Sequence, residues 1–397
     1  MRAIKVLFII FLLLFPLGEI GRLDLGNNIA VTITDIFVGI VVDIWFITHF
    51  LHKHNFDKKL AKPMLFFVIV CILSLLLNIK NLMPNEFFVA VLYLLRWVVY
   101  AGLYFVVAGF DSDFKKKVAY LLGIAGGLIV LGGYIQYFFY PNLRNLYYLG
   151  WDEHLFRMFS TFLDPNFAGA FFVLYLFLIA GLYARKKEKK IKLLLAGVAI
   201  VTVGAIFLTY SRSAYLMLLV SSTLFLFLVT RSRRARTIII SLEFLALLAA
   251  IVFLSKLPQS EGTNLLRTAS GMARIENAKN AITIFKDNPL FGVGFDAYRY
   301  AQYRNEFIEK NPTKDNHAGA GTDNSFLFIL ATTGIVGFLA YVYLLFSVMR
   351  NAYHKNILFF CSLVVLSIDA FFINSLFYPF LMMWIWIIAG LTENTSL

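Results

Sequence analysis

The sequence predicts an all-α fold: a polytopic membrane bundle of about twelve helices with one large extramembrane helical loop. Three observations predict it. The 397 residues are 60% hydrophobic, with a mean hydropathy of +0.76, above the roughly 45–50% apolar content of soluble domains. The apolar residues fall in runs of roughly twenty, the length that crosses a bilayer as a helix, without the alternation that marks an outer-membrane barrel. One long stretch, 256–323, is too polar to enter lipid.

The apolar runs lie at about 5–20, 29–51, 63–79, 86–109, 118–140, 166–184, 191–209, 213–230, 237–255, 324–349, 356–374 and 376–391. The first has a basic start but no small-residue cleavage site after Phe15-Pro16-Leu17-Gly18-Glu19, so it reads as an uncleaved span. The last two divide a run too long for one crossing at Asn374-Ser375. The chain thus divides into spans one to nine (1–255), the loop (256–323) and spans ten to twelve (324–397), all one membrane-embedded domain.

Basic residues set the orientation. With both termini inside, 21 of the 36 Lys and Arg residues fall in cytoplasmic segments, among them Arg185-Lys186-Lys187-Glu188-Lys189-Lys190 and Arg231-Ser232-Arg233-Arg234-Ala235-Arg236. This matches the positive-inside rule and accounts for the net charge of +13 without nucleic acid as a partner. Three polar segments then face outward: 141–163, the turn Thr209-Tyr210-Ser211-Arg212-Ser213, and the long loop. The two cysteines, Cys71 and Cys361, lie in apolar runs and point to neither a disulfide framework nor a metal cluster.

Within the loop, Ser270 is expected to cap a helix ending near Lys286, with Met272, Ile275, Ala278, Ile282 and Phe285 on its apolar face. Asn288-Pro289 ends it, Gly292-Val293-Gly294 turns, and a second helix covers Asp296 to Glu309.

Several polar residues could carry chemistry. Arg212 opens span eight beside Ser211, where a helix N-terminus and a planar guanidinium both favour phosphate oxygens. It could equally snorkel at the interface while Ser211 caps the helix. Arg267 and Arg274, seven apart, would share a face if one helix carried both, and with Arg212 would clamp a diphosphate. Arg96 lies within span four, where a charge costs at least about 2.5 kcal/mol; it needs a polar cavity or an acid, with Asp35, Asp43, Asp369 and Glu243 as candidates. Asp164 precedes Pro165 and Asn166 as a helix cap. Asp323 also precedes a span, so it is either a cap or a general base on an acceptor hydroxyl, a role for which His317 competes. Asp111-Ser112-Asp113 could hold a metal on a nucleotide sugar, but it lies in a short cytoplasmic loop.

The arrangement resembles the O-antigen ligase and O-antigen polymerase superfamily of membrane glycosyltransferases. The resemblance rests on Phe162-Leu163-Asp164-Pro165-Asn166, Thr209-Tyr210-Ser211-Arg212-Ser213, Arg274, Pro289-Leu290-Phe291-Gly292-Val293-Gly294-Phe295, Asp323-Asn324-Ser325-Phe326-Leu327 and Thr333-Gly334-Ile335-Val336-Gly337. It implies an enzyme of the bacterial inner membrane that takes a glycan from undecaprenyl diphosphate on the outer leaflet, with membrane lipid around it and no cofactor, metal or nucleotide sugar. By motif position, Arg212 and Arg274 would bind the diphosphate. Ligases of the family commonly carry His-Asn before the late span; this chain has Asp323-Asn324. That departure favours a polysaccharide polymerase, working with a chain-length regulator, over a ligase acting on lipid A core. A lipid-glycan flippase or transporter is the alternative of another class.

Overall fold

A computed structural model describes residues 2–26, 29–51, 58–229, 232–308, 319 and 321–393. Twelve helices occupy the twelve expected runs: α1 (Arg2–Leu14), α2 (Ile33–Leu51), α3 (Lys58–Leu77), α4 (Pro84–Ala108), α5 (Ser112–Phe139), α6 (Pro165–Arg185), α7 (Lys189–Leu208), α8 (Arg212–Val229), α9 (Arg233–Leu254), α12 (Ser325–Lys355), α13 (Ile357–Asp369) and α14 (Pro379–Leu391). Eight are long and apolar enough to cross a membrane; α8, α9, α13 and α14 contribute the shorter apolar segments. The loop holds α10 (Ala269–Asp287) and α11 (Tyr298–Arg304). The only departure from helix among the described elements is a small hairpin, Arg22–Asp24 against Ala30–Thr32.

Local chemistry starts the helices where polar caps stand. Asp111 accepts from the Phe114 N–H at 2.9 Å, Asp164 from Asn166 and Phe167, and Asn324 from Phe326 and Leu327. Each satisfies N–H groups that the first turn leaves unpaired. Asp111 also pairs with Lys5, and Asp113 with Lys116, so the Asp111-Ser112-Asp113 triplet is occupied by capping and surface pairing.

The core is aromatic and close-packed. Phe15, just after α1, meets Phe171 of α6 and Trp384 of α14 at tilted angles, and those two meet edge to face, while Gly126 lies against the Tyr175 ring. The bundle has two distinct polar ends. At one, Glu393 accepts from Asn351 at 2.6 Å and pairs with Lys355, while its carbonyl accepts from the buried Lys115 at 2.6 Å. Residues expected on one side of the membrane thus meet. At the other end lie the loop, the hairpin and the 141–163 segment.

A reciprocal glycine contact fixes the loop to the bundle. α12 breaks at Gly334 (φ 66°), and the loop turns at Gly292 (φ 64°) and Gly294 (φ 105°). Val293 and Gly294 donate to the carbonyls of Ala331 and Thr332, and Ile335 donates to that of Pro289. Ser74 of α3 and Asn78 just after it cap the junction, donating to the carbonyls of Phe291 and Gly292. The break leaves peptide groups that a continuous helix would have paired, and the loop backbone satisfies them.

Three expectations for the loop are corrected. Thr268, not Ser270, stands at the start of α10, and the Ser270 hydroxyl accepts from Arg212 instead. The side of α10 that packs on α12 carries Ala281 and Ile284, whereas Met272, Ile275 and Ile282 are exposed. The second helix is confined to Tyr298–Arg304, and Arg267 precedes α10 rather than sharing it with Arg274.

Candidate active site

Four arginines gather at the loop end of the bundle. Arg212, first in α8, donates to the Arg267 carbonyl at 3.1 Å and to Ser270 Oγ at 2.8 Å. Arg267 donates to the carbonyls of Asn264 and Tyr210. Arg157, buried, donates from Nε to the Thr209 carbonyl at 2.9 Å and from Nη2 to Asn166 Oδ1 at 3.3 Å. Arg274 has no hydrogen-bond or ion-pair partner among the described residues. None of the four forms an ion pair with a carboxylate among the described residues. Burial, followed by Arg267, pushes Arg157 down to about 9. Burial, Arg212 and Arg274 likewise lower Arg267. Mutually repelling cations in one place, with no carboxylate ion-pair partner among the described residues, suit an anion.

Arg157 was not singled out in the sequence, although it lies in the outward segment just before Asp164. It clamps the Thr209–Tyr210 turn, where Tyr210 takes a positive φ of 50°, and so fixes where Arg212 begins α8. Ser211 is buried, its hydroxyl 3.2 Å from that of Ser213.

Beside the cluster opens a cavity of about 390 Å³, lined by Asp152, His154, Asp164, Asn166 and Asp323 at its near end. α10 delivers the link between the two: Arg274 and Asn277 stand three apart, and Asn277 Oδ1 accepts the Asp323 N–H at 3.1 Å. Asp323 opens onto the cavity. The surrounding protein strips part of its water and raises its pKa; Arg274 opposes that rise, while Asp164 and Asp152 add to it. Of the two readings of Asp323-Asn324, the cap is Asn324, whose side chain takes both helix N–H groups, and this leaves the Asp323 carboxylate to the cavity.

His154 Nε2 lies 3.9 Å from Asp164 Oδ2, and burial lowers the imidazole pKa against the pull of that carboxylate. His317 lies outside the described residues.

The far end of the cavity is lined by Glu19, Arg22, Tyr93, Arg96, Trp151, Asp296 and Arg299. Arg96 pairs there with Asp35 at 2.9 Å and donates to the Ala30 carbonyl, so Asp35 is the acid that its intramembrane charge required. Between the two ends stands Tyr378, stacked on Phe167 at 3.9 Å. Among the described residues no three His, Cys, Asp or Glu side chains converge as a metal site.

Residues 197–342 match the family model described as O-antigen ligase. This span runs from α7 through the arginine cluster, the loop and Asp323 into α12. No curated protein matches the chain.

Proposed function

We propose that this chain, whose residues 197–342 match the family model described as O-antigen ligase, moves a glycan from undecaprenyl diphosphate to an acceptor hydroxyl on the extracytoplasmic face of the bacterial inner membrane. The observation that carries this reading is the set of four arginines without a carboxylate ion-pair partner among the described residues, beside the Asp323 carboxylate that opens onto the cavity. The outward assignment of this end follows from the basic loops at the other.

The chemistry follows from the charges. The acceptor oxygen attacks the anomeric carbon, the bond from that carbon to the phosphate oxygen breaks, and the electron pair leaves on the diphosphate. Arg212, Arg267 and Arg274 meet the growing negative charge with fixed donors, the type of stabilisation that contributes most in such sites. Arg157 holds the turn that positions Arg212. The proton of the attacking hydroxyl passes to Asp323, whose raised pKa makes it a better base than an ordinary carboxylate. With guanidiniums neutralising the leaving group, the transfer is metal-independent in this reading. Asp164, Asn324 and Ser211 act as supports, and the Arg96–Asp35 pair braces the far wall.

An aspartate where ligases of this superfamily carry histidine favours a polymerase. The family description itself favours the ligase reading, with lipid A core as acceptor. Replacing Arg212 or Arg274 by Ala should abolish glycan extension in cells while the protein still inserts. Wild-type polysaccharide from both variants would overturn the proposal.

A further inference from the structure

The cavity extends well past the residues that the transfer step uses, and its far end has a different chemistry. Near the arginines it is lined by acids and His154. Beyond the Tyr378–Phe167 stack it holds Glu19 and Asp296 together with Arg22, Arg96 and Arg299, and the rings of Trp151 and Tyr93, over which Arg22 and Arg96 lie on one face each. The diphosphate is assigned to the arginine cluster, which leaves this end for another part of the substrates. Carboxylates and guanidiniums around aromatic faces suit a neutral polyol, whose hydroxyls need both donors and acceptors and whose ring face packs on an aromatic surface.

A positive φ marks this end as it does the arginine end. Asp296 is one of seven non-glycine residues with positive φ among the described residues, at φ 59°. It follows directly on the glycine junction between the loop and α12, after Gly294 and Phe295. A residue kept in so sparsely populated a conformation is held by its surroundings, and such residues gather at binding sites. Burial raises the Asp296 carboxyl to about 7, against the pull of Arg299 and Arg96, so near neutral pH it can both donate to and accept from a hydroxyl.

In a single in-line displacement at a sugar carbon the nucleophile and the leaving group take opposite faces. With the diphosphate at the arginine cluster, the incoming hydroxyl reaches Asp323 from the far side. We infer that the far end of the cavity, built by Glu19, Arg22, Trp151, Asp296 and Arg299, is the saccharide subsite of the acceptor. Asp296 and Arg299 bind hydroxyls of the ring that presents the nucleophile. This inference rests on the glycosyltransfer reading for its orientation, but the subsite can be tested by binding alone.

The test uses the full-length protein in lipid nanodiscs. The probe is the repeat oligosaccharide released from its lipid by mild acid, with affinity read by saturation-transfer NMR. Asp296→Asn and Arg299→Gln should each weaken this binding by about tenfold or more, the loss of one charge-assisted hydrogen bond. Neither should change the affinity for undecaprenyl diphosphate, and Asp296→Asn should be no less thermally stable than wild type at pH 8, as a check on folding. Oligosaccharide affinity equal to wild type in both variants would overturn the inference, as would a parallel loss of undecaprenyl diphosphate affinity. Wild-type protein that binds the oligosaccharide through Asp296 but forms no glycosidic bond would leave the subsite standing and remove the transfer reading instead.

Discussion

Gly292 and Gly334 stand back to back across the junction of the loop and α12. Each has a positive φ, and a Cβ on either would meet the other segment's backbone: Thr332 at 2.4 Å from Gly292, and Leu290 at 2.3 Å from Gly334. Backbone atoms cannot yield as a flexible side chain can, so the contact admits only glycine on both sides. It carries Asp296 and Arg299 to the cavity and keeps α10, with Arg274, close to Asp323.

Gly334→Ala should therefore destabilise the protein by about 2 kcal/mol or more, combining positive-φ strain with a backbone clash. Thermal unfolding of the detergent-solubilised protein checks this. A melting temperature equal to wild type would show that the junction is not close-packed.

Arg157→Met should cost roughly 2–3 kcal/mol, because the buried Thr209 carbonyl then loses its donor. It should also weaken undecaprenyl diphosphate binding, since the turn that begins α8 is released. Arg157→Lys should recover only part of either effect, as an ammonium lacks the planar fork that spans Thr209 and Asn166. Parallel unfolding and binding measurements on the two variants separate the contributions.

The raised Asp323 pKa predicts a pH-rate profile. The base form is lost as pH falls through a pKa above the ordinary carboxylate range, so activity should drop on the acid side at a higher pH than an unperturbed aspartate would give. Asp323→Asn should abolish transfer. Undiminished turnover in that variant would move the base elsewhere, with His154 the first alternative to examine.

The raised Asp296 pKa bears on stability. Its folded pKa, about 7, exceeds the unfolded value near 4. The native state therefore binds the extra proton, and this contribution is full below the unfolded pKa and fades as pH rises through about 7. Asp296→Asn should flatten this slope and make the protein more stable than wild type at pH 8, even while oligosaccharide binding falls. Unfolding curves across pH 5 to 8 test the sign.

The twelve apolar helices were legible because burial in lipid imposes a length scale that composition over twenty residues reports, and eight of them are long enough to cross. Caps such as Asp164 were legible because they act within three residues. Arg157 was not, because it bonds Thr209 and Tyr210 more than fifty residues away. Ser270 looked like a cap by position, yet Arg212 from another helix claims its hydroxyl. The glycines at 292, 294 and 334 could be read as turns, but their mutual contact and its effect on Asp296 exist only in three dimensions.

The central claim is transfer from a lipid diphosphate to a hydroxyl by arginines and one aspartate. The direct measurement is the stoichiometry of purified protein supplied with undecaprenyl-diphosphate oligosaccharide in the presence of a metal chelator. Wild-type protein should release one undecaprenyl diphosphate for each glycosidic bond formed, and Arg212→Ala and Asp323→Asn should release none. Release without a new bond, or a lengthened glycan from the Asp323→Asn protein, would contradict it.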